Sequence, residues 1–180
     1  MTHLLATTAA ERAEFVTFVV LAPVSVLSAL GMVLHRNAVY SALLLVVNFF
    51  CLAAFYVLLE AQFLAAVQVI VYAGAIMVLF LFVLMLLGIG NEDVLRESIR
   101  GQRPAAALLG VLLLVVVGAA LLSGAFSGGG QGSLQAANAG GNVQAVGRLL
   151  FTRYAFAFET VGLLLVVAAV GALVLGKRQR

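Results

Sequence analysis

Five apolar stretches run along the chain, at residues 15–34, 38–59, 62–87, 105–122 and 155–175, with the polar and charged residues gathered between them. A helix rises about 1.5 Å per residue, so about 20 apolar residues cross a hydrocarbon core of roughly 30 Å. The pattern predicts an all-α, polytopic integral membrane protein, a single membrane domain over residues 1–180 with five transmembrane helices. His35-Arg36-Asn37 and Glu60-Ala61-Gln62 are very short turns, so the second span returns antiparallel beside the first, and the third beside the second. The third stretch is longer than one crossing needs and must tilt, bend or protrude.

The interruptions carry their own expectations. Pro23, inside the first span, deprives the Val19 carbonyl of its helical partner, so a bend is expected there, with Ser25 or a neighbouring helix supplying a substitute bond. Residues 88–104 form a charged loop in which Asn91 can cap a short surface helix. Glu92 and Asp93 suit the N-terminal end of that helix, and Glu92 stands four residues before Arg96 in the favourable order. Residues 123–147, and Ser127 to Ser133 above all, are too rich in Gly, Ala, Asn and Gln to bury a core; a flexible extramembrane loop is expected. No Gly-Lys-Ser/Thr follows its glycines, so it is no phosphate-binding loop. The N-terminal stretch to Glu14 is unlike a signal peptide, having Arg12 with Glu11 and Glu14 and no cleavage site after the apolar run, so the first span is expected to stay in the mature chain.

Composition removes the soluble alternatives. The chain is 64% hydrophobic and 9% charged, with a mean hydropathy of +1.20, whereas water-soluble domains run at about 45 to 50% apolar and about 25% charged. Its net charge of +3 does not signal nucleic acid, because the basic residues sit at span ends and in loops, with no cluster interleaved with aromatics. They orient the chain instead. Arg12, Arg148 and Arg153 fall on one side; Arg36, Arg96, Arg100, Arg103, Lys177, Arg178 and Arg180 fall on the other. The positive-inside rule predicts the N-terminus and the Gly-rich loop outside, and the charged loop and C-terminus in the cytoplasm.

The redox inventory is thin. An iron–sulfur cluster needs about four Cys ligands, and Cys51 is the sole cysteine. His3 lies in the tail and His35 at the end of the first span, and no CxxC, HExxH or paired-His spacing exists. No catalytic residue, metal site or cofactor is therefore expected on this chain. A lone cysteine permits no internal disulfide and says nothing about the redox compartment.

Ionisable groups in the membrane are costly, which makes them default functional candidates. Glu60 stands at the boundary of the second and third spans and reads as a proton-path carboxylate or a solvated loop residue. Glu159, about one turn into the fifth span, is neighboured by Phe151, Tyr154, Phe156 and Phe158. Such a setting raises a carboxylate's pKa towards proton exchange; the plain alternative is a snorkelling or paired structural residue. Lys177 is the only lysine, so the chain lacks the Lys, Glu and His series of a complete proton pump. In the third span Gln68 and Tyr72, four apart, share one helix face. Tyr72-Ala73-Gly74-Ala75 then loses bulk before the heavy run from Met77 to Met85. Gly at mid-membrane allows either close packing with a neighbour or a local register change such as a π-bulge. Ala168, Ala172 and Gly176, and Ala106 with Gly110, make small-residue ridges suited to packing inside a larger assembly.

The run from Phe63 through Gln68-Val-Ile-Val-Tyr72-Ala-Gly74-Ala-Ile-Met77 to Leu87 resembles the signature third helix of the J subunit of proton-pumping NADH:quinone oxidoreductase, respiratory complex I. The likeness extends to Arg36-Asn37-Ala38, Arg103-Pro104, Ala145-Val-Gly147 through Leu150-Phe151, and Phe158-Glu159 leading into Gly162; Ser127 to Asn142 matches no pattern of the family. The resemblance implies a core membrane-arm subunit near the quinone module, multi-pass in the plasma membrane of a prokaryote, with other membrane-arm subunits and the lipid bilayer as partners. NADH or another donor, flavin, iron–sulfur clusters and the quinone would belong to other subunits. It further implies that the third helix switches between α and π-bulged forms around Tyr72, Ala73 and Gly74, opening or closing a hydrated proton path. Some relatives carry a carboxylate where this chain has Gln68, which shifts attention to Glu60 and Glu159. Two rival readings are an accessory scaffold and a small subunit of a multi-subunit cation/proton antiporter.

Overall fold

The computed structural model describes residues 2–88, 102–123, 138 and 140–177. Every regular element among them is helical: α1 (Thr2–Leu34), α2 (Ala38–Leu58), α3 (Gln62–Val67), a π-helical segment (Gln68–Ile76), α4 (Met77–Leu87), α5 (Gln102–Leu122), α6 (Asn142–Thr152) and α7 (Ala155–Gly176). Five spans are long and apolar enough to cross a membrane, at Arg12–Leu34, Ala38–Leu58, Gln62–Leu87, Pro104–Leu122 and Ala155–Gly176. The surface helix expected from Asn91, the glycines from Ser127 to Ser133, and Arg178 and Arg180 lie outside the described residues.

The chain divides into two compact units, Met1–Gly130 and Gln131–Arg180. In the first, α2 is the central helix, packing on α1 and along the third span through α3, the π segment and α4. Lipid tails are as apolar as leucine, so spans pair through close approach of small residues and through polar bonds rather than by leaving water. Both devices join α1 to α2. A Cβ at Gly31 would stand 3.0 Å from Leu44 Cδ1, so glycine lets the helices meet. About one turn along α2, the Asn48 amide donates to the Ser25 carbonyl at 2.8 Å, to Ser25 Oγ at 3.1 Å and to Ser28 Oγ at 3.2 Å. Such interhelical bonds contribute about 0.6 kcal/mol on average in bilayers. The Ser25 expected to serve the carbonyl freed by Pro23 is thus engaged by Asn48, and α1 continues through Pro23. Ala42, Met77 and Leu84 form the buried centre between α2 and α4.

Sequence also sets the turns. Asn37 caps α2, its Oδ1 accepting from the N–H groups of Val39 at 2.9 Å and Tyr40 at 3.4 Å. At the far end of α2 the Ala61 N–H donates to the Tyr56 carbonyl and the Glu60 N–H to that of Val57, the paired closure of a Schellman cap. Gly88 ends α4 in the left-handed region, φ 59°.

The second unit holds α6 and α7. The loop expected over 123–147 gives way to α6 at Asn142, where Val146 and Leu150, four apart, are half-covered while Gln144, Arg148 and Thr152 are exposed. Phe151 and Phe158 join the two helices edge to face, with ring centroids 5.1 Å apart. Likewise α5 begins at Gln102, inside the expected charged loop, and α1 begins at Thr2, so the N-terminal tail is helical.

Candidate functional site in the third span

The third span starts as an ordinary helix: the Gln68 N–H donates to Leu64 O, four residues back. Nine residues later the register has changed, and the Met77 N–H reaches Tyr72 O, five back. All of Tyr72, Ala73, Gly74 and Ala75, the expected hinge, lie in this π-helical stretch, which extends further, from Gln68 to Ile76. Gly74 fits it for a steric reason. A Cβ there would stand 3.2 Å from the carbonyl oxygen of Val69, five residues earlier, and glycine removes that contact.

The register decides which side chains face α2. The buried residues of the span are Ala65, Gln68, Ala73, Met77 and Leu84. The step from Gln68 to Ala73 is five, one more than a regular helix would use. Gln68 and Tyr72 therefore do not share the inner face as expected. Gln68 is 7% exposed and Ala73 8%, while Tyr72 is 45% exposed, with its ring meeting Phe49 at 5.8 Å between centroids. Each α-helical residue turns about 100°, so removing the extra residue would turn one part of the span against the other by that angle. The inward set beyond Gln68 would become Tyr72, Ile76 and Val83.

The two carboxylates are placed differently. Glu60 occupies the left-handed position of the α2 cap, φ 56°, where glycine is the usual residue. An L-residue there costs about 1 kcal/mol, and such strain concentrates at functional positions. Glu159 lies exposed on α7 in the second unit. Phe151, Tyr154 and Phe156 are exposed as well, so no aromatic enclosure forms around it within that unit. The structure thus joins Gln68 and Tyr72 to Ala73, Gly74 and Ala75 in one π-helical segment, sets Glu60 at the start of the same span, and puts Glu159 on another element.

Sequence reasoning passed over Asn48 and Ser28. Both are polar residues inside apolar runs, and that alone is a signal in a membrane. Among the described residues no three His, Cys, Asp or Glu side chains gather as metal ligands, and Cys51 is free and buried. This residue set does not fit an iron–sulfur cluster or a haem.

Comparison with known proteins follows the same line. The family model described as NADH-ubiquinone/plastoquinone oxidoreductase chain 6 matches residues 28–175. The chain is 42% identical over 159 residues to NADH-quinone oxidoreductase subunit 10 of Thermus thermophilus, covering 86% of each. It is 37% identical over 169 residues to NADH-quinone oxidoreductase subunit J of Rhodobacter capsulatus, covering 91% of this chain and 81% of the relative. With subunit J of Rickettsia typhi the identity is 34% over 158 residues, covering 86% of this chain and 76% of the relative.

Proposed function

Because the chain belongs to the NADH-ubiquinone/plastoquinone oxidoreductase chain 6 family, we propose that it is a membrane-arm subunit of a proton-translocating NADH:quinone oxidoreductase, coupling quinone reduction to proton movement through a register change in its third span. The chain is a multi-pass protein of a prokaryotic plasma membrane. It carries no redox centre; electron donor, flavin, iron–sulfur clusters and quinone are handled by other subunits. The ridges at Ala106 and Gly110 and at Ala168, Ala172 and Gly176 serve as contacts for neighbouring subunits. The N-terminus lies outside and the C-terminus in the cytoplasm, and thiol labelling of a Lys177→Cys variant from the outer side would overturn that orientation.

The observation that carries this reading is the π segment at Gln68–Ile76. In the π register, Ala73 sits inward beside Gln68, and the polar face is broken by a methyl group. In the α register Tyr72 takes that place, and a phenolic hydroxyl comes beside the Gln68 carboxamide. Hydroxyl and amide each donate and accept, so the pair supports a chain of water across this stretch. The switch makes and breaks that pair, and Glu60, at the mouth of the span, exchanges protons with it. Glu159 serves a separate step on the fifth span.

Two substitutions at one position test the role of Glu60. Glu60→Gly relieves the left-handed backbone, and Glu60→Gln keeps the shape without the charge. Both are expected to assemble and to lower coupled proton pumping several-fold, measured in membrane vesicles with assembly checked by native electrophoresis. Normal pumping in both, and in Glu159→Gln, would instead establish the chain as a scaffold.

A further inference from the structure

His35, Arg36, Asn37 and Tyr40 line a pocket of about 480 Å³. It lies in the short turn between the spans Arg12–Leu34 and Ala38–Leu58, at the depth where lipid headgroups lie. The turn is held in shape. The Asn37 N–H donates to His35 Nδ1 at 3.2 Å, the Asn37 side chain caps α2, and the His35 and Tyr40 rings stand 5.1 Å apart. With Nδ1 accepting, His35 carries its proton on Nε2 and is left with a donor. Arg36 adds a permanent positive charge with a fork of N–H donors suited to phosphate, and Tyr40, 59% exposed, adds a hydroxyl. Among the described residues, no carboxylate lines the pocket.

A second cavity is linked to the first through Ser41. Met32, Ala38, Ser41, Ala42, Leu45, Phe80 and Leu84, from α1, α2 and α4, line a crevice of about 260 Å³ that is apolar except for Ser41. Ser41 Oγ donates to the His35 carbonyl at 3.2 Å, which ties the mouth of the crevice to the wall of the pocket. Ala42 and Leu84 belong to the buried centre of the unit, so the crevice runs from the headgroup level into the membrane.

A cationic, donor-rich pocket joined to an apolar crevice fits a ligand with both parts. We propose that this is a binding site for an anionic phospholipid, its phosphate held by Arg36, His35 Nε2 and the Tyr40 hydroxyl, with one acyl chain in the crevice between α1, α2 and α4. Free phosphate fills only the first half. A zwitterionic lipid brings an ammonium group against Arg36 and is disfavoured.

The test uses the purified complex carrying this chain, in nanodiscs doped with a phosphatidylglycerol whose acyl chain bears a photoreactive diazirine. Adducts are expected on peptides containing Ala38–Leu45 or Phe80–Leu84. Unlabelled phosphatidylglycerol should compete, while equal concentrations of phosphatidylcholine or glycerol phosphate should not. One basic side chain at an anionic surface is worth about a fivefold change, so Arg36→Gln should lower labelling about that much, and Arg36→Lys should keep most of it. Equal competition by phosphatidylcholine, competition by glycerol phosphate, undiminished labelling of Arg36→Gln, or no adduct on this chain would each overturn the site. Should Arg36→Gln fail to assemble, competition in the unsubstituted complex decides.

Discussion

Gly74→Val is expected to leave the complex assembled and to lower both quinone-reductase turnover and proton pumping about tenfold or more. Gly74 is where the π register brings a carbonyl, that of Val69, within 3.2 Å of the place a Cβ would take. In a regular α-helix the residue-74 N–H would pair with the Ile70 carbonyl, four residues back, and the Val69 carbonyl would leave the crowded position. A side chain at 74 thus disfavours one register and spares the other. Overpacking of this kind costs about 1 to 3 kcal/mol, and each 1.4 kcal/mol is a factor of ten in a two-state equilibrium. Gly74→Ala, with the same Cβ and no branch, should show the same effect in smaller degree. The measurements are quinone-analogue reduction and pH-dye quenching in sealed vesicles, normalised to assembled complex. Full turnover and pumping in assembled Gly74→Val would sink the idea that this segment moves.

Much of this was readable before any coordinates. The five spans follow from the bilayer as a ruler, and the place of the π-helical segment from a sudden loss of bulk at Ala73-Gly74-Ala75 inside a run of large side chains. The resting register was not readable. The α and π forms differ by a one-residue shift of a few hydrogen bonds, and the choice depends on how α2 accepts Ala73 and Met77 rather than Tyr72 and Ile76. The face shared by Gln68 and Tyr72 failed for that reason: a spacing of four means one face only where the helix is regular. Glu60 was flagged for its charge, but its left-handed backbone was hidden, because Gly is the residue that usually advertises such a cap. The aromatic surroundings of Glu159 were an inference from neighbours in sequence. Within its unit Phe151 and Phe158 pack on each other and Glu159 stays exposed. Asn48 illustrates the opposite error, a legible polar residue in an apolar span that went unused until its bonds to Ser25 and Ser28 gave it a role.

Locking the register should have at least as large an effect. Ala42 and Met77 share the buried centre of the first unit, at 3% exposure each. In the α register the inward position of Met77 passes to Ile76. In a background of Cys51→Ala, which removes the free native thiol, the pair Ala42→Cys and Met77→Cys is therefore expected to form a disulfide in the resting enzyme. The pair Ala42→Cys and Ile76→Cys should cross-link only when the span has turned by about 100°, for example under steady turnover. The first disulfide holds the π register, so it stops any cycle that needs the other one: turnover and pumping should fall at least about tenfold on oxidation and return on reduction. Reversibility is the essential control, because a merely damaged core would not recover. A cross-linked enzyme that still reduces quinone and pumps protons at the uncross-linked rate would show that the π segment is a fixed feature of the fold. Cross-linking of the Ile76 pair in the resting state, with none for Met77, would show that the span rests in the α register.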